Sequence, residues 1–496
     1  MTCDPKALPS MPAPSRSQPM ATPGPLPRAV DLLADLEAGS ISAVALLEQT
    51  YQRIAEQNPG VNAICTLKPM EQVLPEAEAV DAARAEGQPL PPLAGLPMAI
   101  KDLANVHGLP TTMGSPILAQ HMPEEDALFV SRLKSAGALV IGKTNTPEFG
   151  AGSNTFNPLF GSTKNPWDLS KVAGGSSGGA AAALAAGMVA LADGSDMGGS
   201  LRNPAAYCNV VGLRPTLGRV PSPPLHAETF TRMSVEGPMA RTVEDCALLL
   251  QAMAGPDERD TLSLSVPPLA ADKTLVRDIR NLRLAWAPLP AGLPVEQPVA
   301  SVLGVAVQQL WQLCPNIEEI ALTELAGAMA VFGTLRGAAF AQLLGELYAS
   351  DGDAMKATLR GNIELGLALS RLDIDNAEEQ RAGMLAALAA LFERFDYLLL
   401  PVTQVMPFAA NIEYPRQVDG QAMSSYIEWM ASCCIMSPFG VPCLSVPAGF
   451  SPDGLPVGLQ IVGRPGDDWG VLQVAYAFQE HTGHWRRSPP TVKAAS

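Results

Sequence analysis

Apolar residues along this chain alternate between helical spacing and short unbroken runs. Val44, Leu47, Tyr51 and Ile54 share one face of a helix predicted over 43–55, with Ser42 as its N-cap and Asn58, Pro59 and Gly60 ending it. The runs 96–100, just before Lys101, and 138–141 read as buried strands, the second following a helix over 129–135. Later strands are predicted at 282–286, 397–400, 443–446 and 457–462. Helices alternating with strands that are apolar throughout predict an α/β fold whose sheet is covered on both faces.

From about 299 to 395 the pattern is mainly helical and rich in Ala and Leu, as at 302–313, 338–348 and 377–392. Candidate catalytic residues do not concentrate there, so a helical block covering the substrate side of the sheet is expected. No repeat or interior linker divides the chain, and a single domain over 29–490 is expected. Residues 1–28 carry eight prolines with no apolar segment and no basic start, which predicts a disordered tail rather than a secretory signal.

Composition narrows the function classes. With 496 residues, 47% hydrophobic and 17% charged, the chain can bury a large core. A formal charge of −16 with no basic cluster argues against nucleic acid and anionic membrane, leaving a small molecule as the expected partner. The longest run without charged or strongly polar residues, 178–192, is mostly Ala and Gly and too short to cross a bilayer. Eight cysteines without a C-x-x-C pair read as free thiols of a reducing compartment, so a cytoplasmic protein is expected. Among five histidines only His481 and His484 are close, with no carboxylate motif, and neither a metal nor a cofactor is expected.

The chemistry concentrates in residues 174–204, GGSSGGAAAALAAGMVALADGSDMGGSLRNP. Two Gly/Ser loops bracket an Ala-rich segment. A helix over 178–187 would run about 15 Å at 1.5 Å per residue. A strand over 188–192 would return about 16 Å at 3.3 Å each. Ser176 and Ser200 are therefore expected at the same end of the sheet. In the run Asp196, Met197, Gly198, Gly199, Ser200, a glycine-rich turn lets consecutive N–H groups converge, as an oxyanion requires. A helix predicted to begin at Pro204 and Ala205 would add its dipole.

G-G-S-S-G-G followed by G-S-D-M-G-G-S-L-R-N-P-A resembles the hallmark of the amidase signature family, which hydrolyses amides with a Ser, cis-Ser, Lys triad. The likeness extends to GLPMAIKD at 95–102, GKTNTPEF at 142–149, GSTKNPWD at 161–168 and GLPVGLQIVG at 454–463, covering some 440 residues. It implies a large, mixed, twisted sheet flanked by helices, and a monomer or homodimer acting on a small-molecule amide. It also implies Ser200 as nucleophile, Ser176 as bridging serine on a cis peptide and Lys101 as base. The N–H groups of Met197, Gly198, Gly199 and Ser200 would form the oxyanion hole, with Asp196 and Arg202 positioning the loop. Ser177 would be a loop hydrogen-bond donor.

A lysine at ~10.4 cannot act as a base at neutral pH, so Lys101 has to lose water to lose its proton. Its place at the end of a buried strand supplies that environment. Asp102 points to the opposite face and need not recharge it.

Rival motifs fail on context. The G-x-S-x-G at 174–178 lacks a preceding strand, with 165–168 reading as a turn, and lacks a later catalytic histidine. The phosphate-loop match at 137–144 runs through a buried strand, and S-x-x-K at 131–134 lies on an ordinary helix. A second reading is the glutamine-hydrolysing component of a tRNA-dependent amidotransferase, against which stand the acidic charge and Met197, where that branch usually has threonine. Pocket walls are expected from 111–122, 149–160, 221–232 and the helical block. Their apolar character favours a neutral aliphatic or aryl amide, and esters, anilides and carbamates are accessible by the same acyl route.

Overall fold

The computed structural model describes residues 26–223, 232–265 and 274–490, and eleven strands of these form one sheet. In chain order they are Ile64–Leu67 (β1), Pro97–Lys101 (β2), Leu139–Thr144 (β3), Leu191–Asp196 (β4), Val211–Arg214 (β5), Val235–Ala240 (β6), Leu284–Trp286 (β7), Ile317–Glu319 (β8), Tyr397–Pro401 (β9), Cys443–Phe450 (β10) and Pro456–Val462 (β11). Across the sheet the order is β1-β3-β2-β4-β6-β5-β10-β11-β9-β7-β8. The strands β3, β2 and β4 run parallel, as do β9, β7 and β8, while the middle of the sheet is antiparallel. Every residue of β2, β4, β9 and β11 is buried, as strands covered by helices on both faces must be. The fold is the mixed α/β sheet that the sequence implied.

Element limits shift where a local signal was misjudged. The first long helix is capped by Ser42 Oγ, which accepts from Ala45 N–H, but it runs over Ala43–Val61. Pro59 sits inside its last turn, and the Asn58 side chain, bonded to the backbone of Ala63 and Ile64, fastens the exit instead of causing it. The Ala-rich helix stops at Ala185, where Gly187 (φ 69°) turns the chain, and the returning strand begins three residues later than expected. The next helix starts at Arg202 rather than Pro204, with the proline in its first turn where a missing N–H costs nothing. The segment around 165–168 is not only a turn, because Lys164–Asn165 and Asp168–Val172 pair as a short ribbon outside the main sheet.

The helical block is not all helix. Strand β8 lies within it and forms one edge of the sheet, between the helices Gln297–Leu313 and Ala328–Asp351. The stretch Thr323–Ala354 is long and apolar enough to cross a membrane by length and composition. Its buried side, with Val331, Phe332, Leu335, Arg336, Ala339 and Phe340, faces the protein interior. Residues 1–25 of the expected tail lie outside the described residues. Its last part is tied down: Arg28 pairs with Asp31 at 2.7 Å and Glu244 at 2.9 Å, and Arg241 donates to the Pro27 carbonyl.

Candidate active site

The two Gly/Ser loops meet as expected, although not by the expected arithmetic. An eight-residue helix spans about 12 Å and a six-residue strand about 20 Å, so the lengths do not match. The turn after β4 makes up the difference by folding back, and Ser177 N–H donates to the Ser200 carbonyl at 3.2 Å. The peptide bond between Gly175 and Ser176 is cis. Around it, Ser153 Oγ donates to the Gly175 carbonyl at 2.5 Å, Asn203 Nδ2 donates to Ser153 Oγ at 2.9 Å, and Thr155 Oγ1 accepts from Gly178 N–H at 3.1 Å.

Lys101 closes β2 and is fully enclosed. Its Nζ lies 2.7 Å from Ser176 Oγ, 2.8 Å from Ser177 Oγ and 3.0 Å from Ser195 Oγ, and 3.4 Å from the Ser195 carbonyl. Burial pushes the Lys101 pKa below the ordinary lysine range, against the opposing fields of Glu236, Asp193 and Asp196. Asp102, next in sequence, turns the other way to Lys143 at 3.3 Å and Thr112 Oγ1 at 2.5 Å. The Lys101 amine forms no ion pair among the described residues.

Ser200 lines the same pocket as Ser176 and Ser195, and is only half buried. Among the described residues its hydroxyl makes no hydrogen bond to Ser176. The turn that carries it is shaped by one carboxylate. Asp196 accepts N–H bonds from Gly199 at 2.8 Å and Leu201 at 3.1 Å, and takes Arg202 through two contacts of 2.9 and 3.0 Å. Arg214 adds a third cationic contact at 3.4 Å, and Gln460 Oε1 holds Arg202 at 2.6 Å. Burial alone would raise the Asp196 pKa, but Arg202 and Arg214 outweigh it and hold the carboxyl well below the usual range. Asp196 and Arg202 thus pair within the turn that carries Ser200. Gly199 (φ 112°) departs from the expected donor set, because its N–H is committed to Asp196.

Four residues of the site were not singled out from the sequence, although Ser195 lies inside the G-S-D-M-G-G-S run. Ser195 is the third hydroxyl on Lys101. Asp193 accepts the Lys101 backbone N–H at 3.0 Å, and burial pushes its carboxyl up to about 6. Glu236 faces Ser195 across β4 and β6, and burial together with Asp193 raises its pKa. Arg336 comes from the long helix Ala328–Asp351. The pocket is otherwise lined by Leu103, Phe149, Gly150, Gly152, Met197, Gly198, Ser234, Phe340 and Met430. The expected walls 149–160 and the helical block contribute, whereas 111–122 does not. Most of 221–232 lies outside the described residues.

The family model for amidases matches residues 45–472. An acylamidase from Rhodococcus erythropolis is 36% identical over 464 residues, covering 91% of this chain and 94% of that protein. A glutamyl-tRNA(Gln) amidotransferase component from Moorella thermoacetica is 37% identical over 485 residues, covering 92% of this chain and 96% of the other. The crystal structure of a bacterial aryl acylamidase superposes with a TM-score of 0.87 at 28% identity, covering 94% of this chain and 98% of that one. With a buried lysine set among serines on a cis-peptide loop and a family match along most of its length, the chain belongs to the amidase signature family of carbon–nitrogen hydrolases.

Proposed function

We infer that this chain is an amidase that cleaves a carboxylic amide through an acyl-enzyme on Ser200, without a tRNA-binding partner. The observation that carries this reading is the Lys101 amine, stripped of water and held by serine hydroxyls in the pocket that Ser200 lines. An ammonium donates three hydrogen bonds, whereas a neutral amine donates two and accepts one. Ser177 has a second acceptor for its proton, the Ser195 carbonyl at 3.4 Å. Ser176 is thus suited to turn its proton toward neutral Nζ.

In the reaction Ser176 gives its proton to Lys101 while taking that of Ser200, and Ser200 Oγ bonds to the amide carbon. The resulting oxyanion is held by the N–H groups of Met197, Gly198 and Ser200. Collapse breaks the C–N bond, and the proton returns through Ser176 to the leaving amine. Water then attacks the ester by the same route and releases the carboxylate. The Ser200 to Ser176 contact forms once substrate is bound, as catalytic hydrogen bonds tighten in the Michaelis complex.

Identity to the amidotransferase component supports a second reading, glutamine hydrolysis within a complex. The purified chain, alone, should be assayed on amides, anilides, esters, carbamates and glutamine beside Ser200→Ala. Serine-dependent turnover of amides by the lone chain supports the amidase. Ammonia from glutamine only, and only with a co-purified partner, supports the other.

A further inference from the structure

Six arginines are buried among the described residues, and five have evident structural partners. Arg202 and Arg214 share Asp196, Arg219 pairs with Asp468, and Arg232 pairs with Asp260. Arg241 donates to the backbone carbonyls of Leu184, Val189 and Pro27. Arg336 differs. It is 4% exposed, lines the pocket with Ser176 and Ser200, and forms no ion pair among the described residues. Its guanidinium donates only to neutral groups, Asn362 Oδ1 and, at 2.6 Å, the Tyr426 hydroxyl. It also stacks over the Phe340 ring at 4.4 Å and lies 5.4 Å from that of Tyr426. These contacts fix its position without neutralising it. A buried cation lacking a counter-ion is unfavourable, and a pocket that keeps one is built for an anion.

A second cation nearby, Lys356, already has acids beside it. Lys356 Nζ would lie 3.8 Å from a Cβ placed on Gly152, a lining residue, and donates to the Ala151 carbonyl at 2.5 Å. Glu413 approaches it at 4.0 Å, and the Glu148 carboxylate is bonded to Ser115 and the Lys356 N–H. Both acids serve Lys356 and leave Arg336 unmatched.

The helix sets the spacing. Phe332, Arg336 and Phe340 recur every four residues on one face of Ala328–Asp351. The Phe332 ring packs on Gly198, where an added Cβ would meet its Cζ at 2.8 Å. Arg336 therefore stands one turn, about 6 Å along the axis, from the residue that touches the oxyanion loop. We propose that Arg336 binds a carboxylate of the substrate, so that this chain acts on amides carrying an anionic group a few bonds from the scissile carbonyl. This rests on the acyl-enzyme reading above and reverses the neutral substrate expected from the sequence.

The test uses paired substrates of equal length, succinamate against butyramide and glutaramate against valeramide, with N-acetylglycine against N-ethylacetamide for a carboxylate on the amine side. Wild type should favour the anionic member of at least one pair, and in Arg336→Met the ratio of anionic to neutral kcat/KM should fall roughly 10- to 100-fold. Arg336→Lys should keep part of the preference. Succinate binding to Ser200→Ala, measured by calorimetry, should weaken by a similar factor when Arg336→Met is added. Equal losses for both members of every pair, or a wild-type preference for the neutral amides, would overturn the proposal. If amide turnover survives in Ser200→Ala, the acyl-enzyme reading fails instead, and the calorimetric arm still decides whether Arg336 holds an anion.

Discussion

Lys101 Nζ lies 2.7 Å from Ser176 Oγ at the closed end of β2, while Asp102, one residue on, is spent on Lys143 and Thr112. The pleat separates two buried charge sites that are adjacent in sequence, leaving an amine that burial disposes to give up its proton. Lys101→Met should fold, because an apolar chain of similar length suits that enclosure. Amide turnover should drop roughly 10²- to 10⁴-fold. Circular dichroism and steady-state kinetics on one preparation check this, and near-normal turnover would remove Lys101 from the relay.

In the proposed relay Lys101 acts when neutral, so activity should be present above the Lys101 pKa and lost as pH falls through it. Because burial lowers that pKa, the acid limb of kcat/KM should lie well below the ~10.4 of a free lysine. A limb near 10 would mean that the amine is not desolvated in solution.

Glu236 and Asp193 oppose this lowering with negative charge behind Lys101. Removing one of them should let the lysine pKa fall further. Glu236→Gln is therefore expected to move the acid limb to lower pH without abolishing activity. A shift to higher pH would contradict the assigned sign.

Asp196 is the only carboxylate in ion-pair contact with Arg202 and Arg214 among the described residues. Asp196→Asn leaves two buried guanidinium groups short of a counter-ion and should cost about 3–5 kcal/mol. Denaturant midpoints give the comparison, and a loss under about 1 kcal/mol would show that the pairing is not under this electrostatic load.

Gly179 packs its helix against the strand side of the site. A Cβ there would come within 2.3 Å of Asn145 N and 2.6 Å of the Ala63 carbonyl, both backbone atoms that cannot swing away. Gly179→Ala should destabilise by roughly 1–3 kcal/mol and displace the Ser176 loop at the helix start. An unchanged melting temperature would contradict the close approach.

Most of the sheet was legible because its strands are short apolar runs, but β1, β5, β6 and β8, which are short or broken by polar residues, glycine or proline, were not. The meeting of the two Gly/Ser loops was legible because they bracket a helix and a returning strand, whereas Lys101 was singled out by the family resemblance. Ser195, Asp193 and Glu236 were not legible, since each is a polar residue in a strand and carries no spacing of its own. Its role depends on register with a partner some 40 to 90 residues away. Arg336 was hidden in an Ala- and Leu-rich helix where no motif marks the inner face. The recurrence of Phe332, Arg336 and Phe340 at helical spacing was the available signal, and strand β8 masked the packing of that region by appearing as a break between helices.

The central claim is a covalent acyl group on Ser200. Wild-type protein mixed with an activated ester of a slowly hydrolysed acid, quenched in acid and digested, should show the acyl mass on the peptide containing Ser200, and Ser200→Ala should show none. An adduct on a cysteine or on another serine, or amide turnover by Ser200→Ala equal to wild type, would contradict the account.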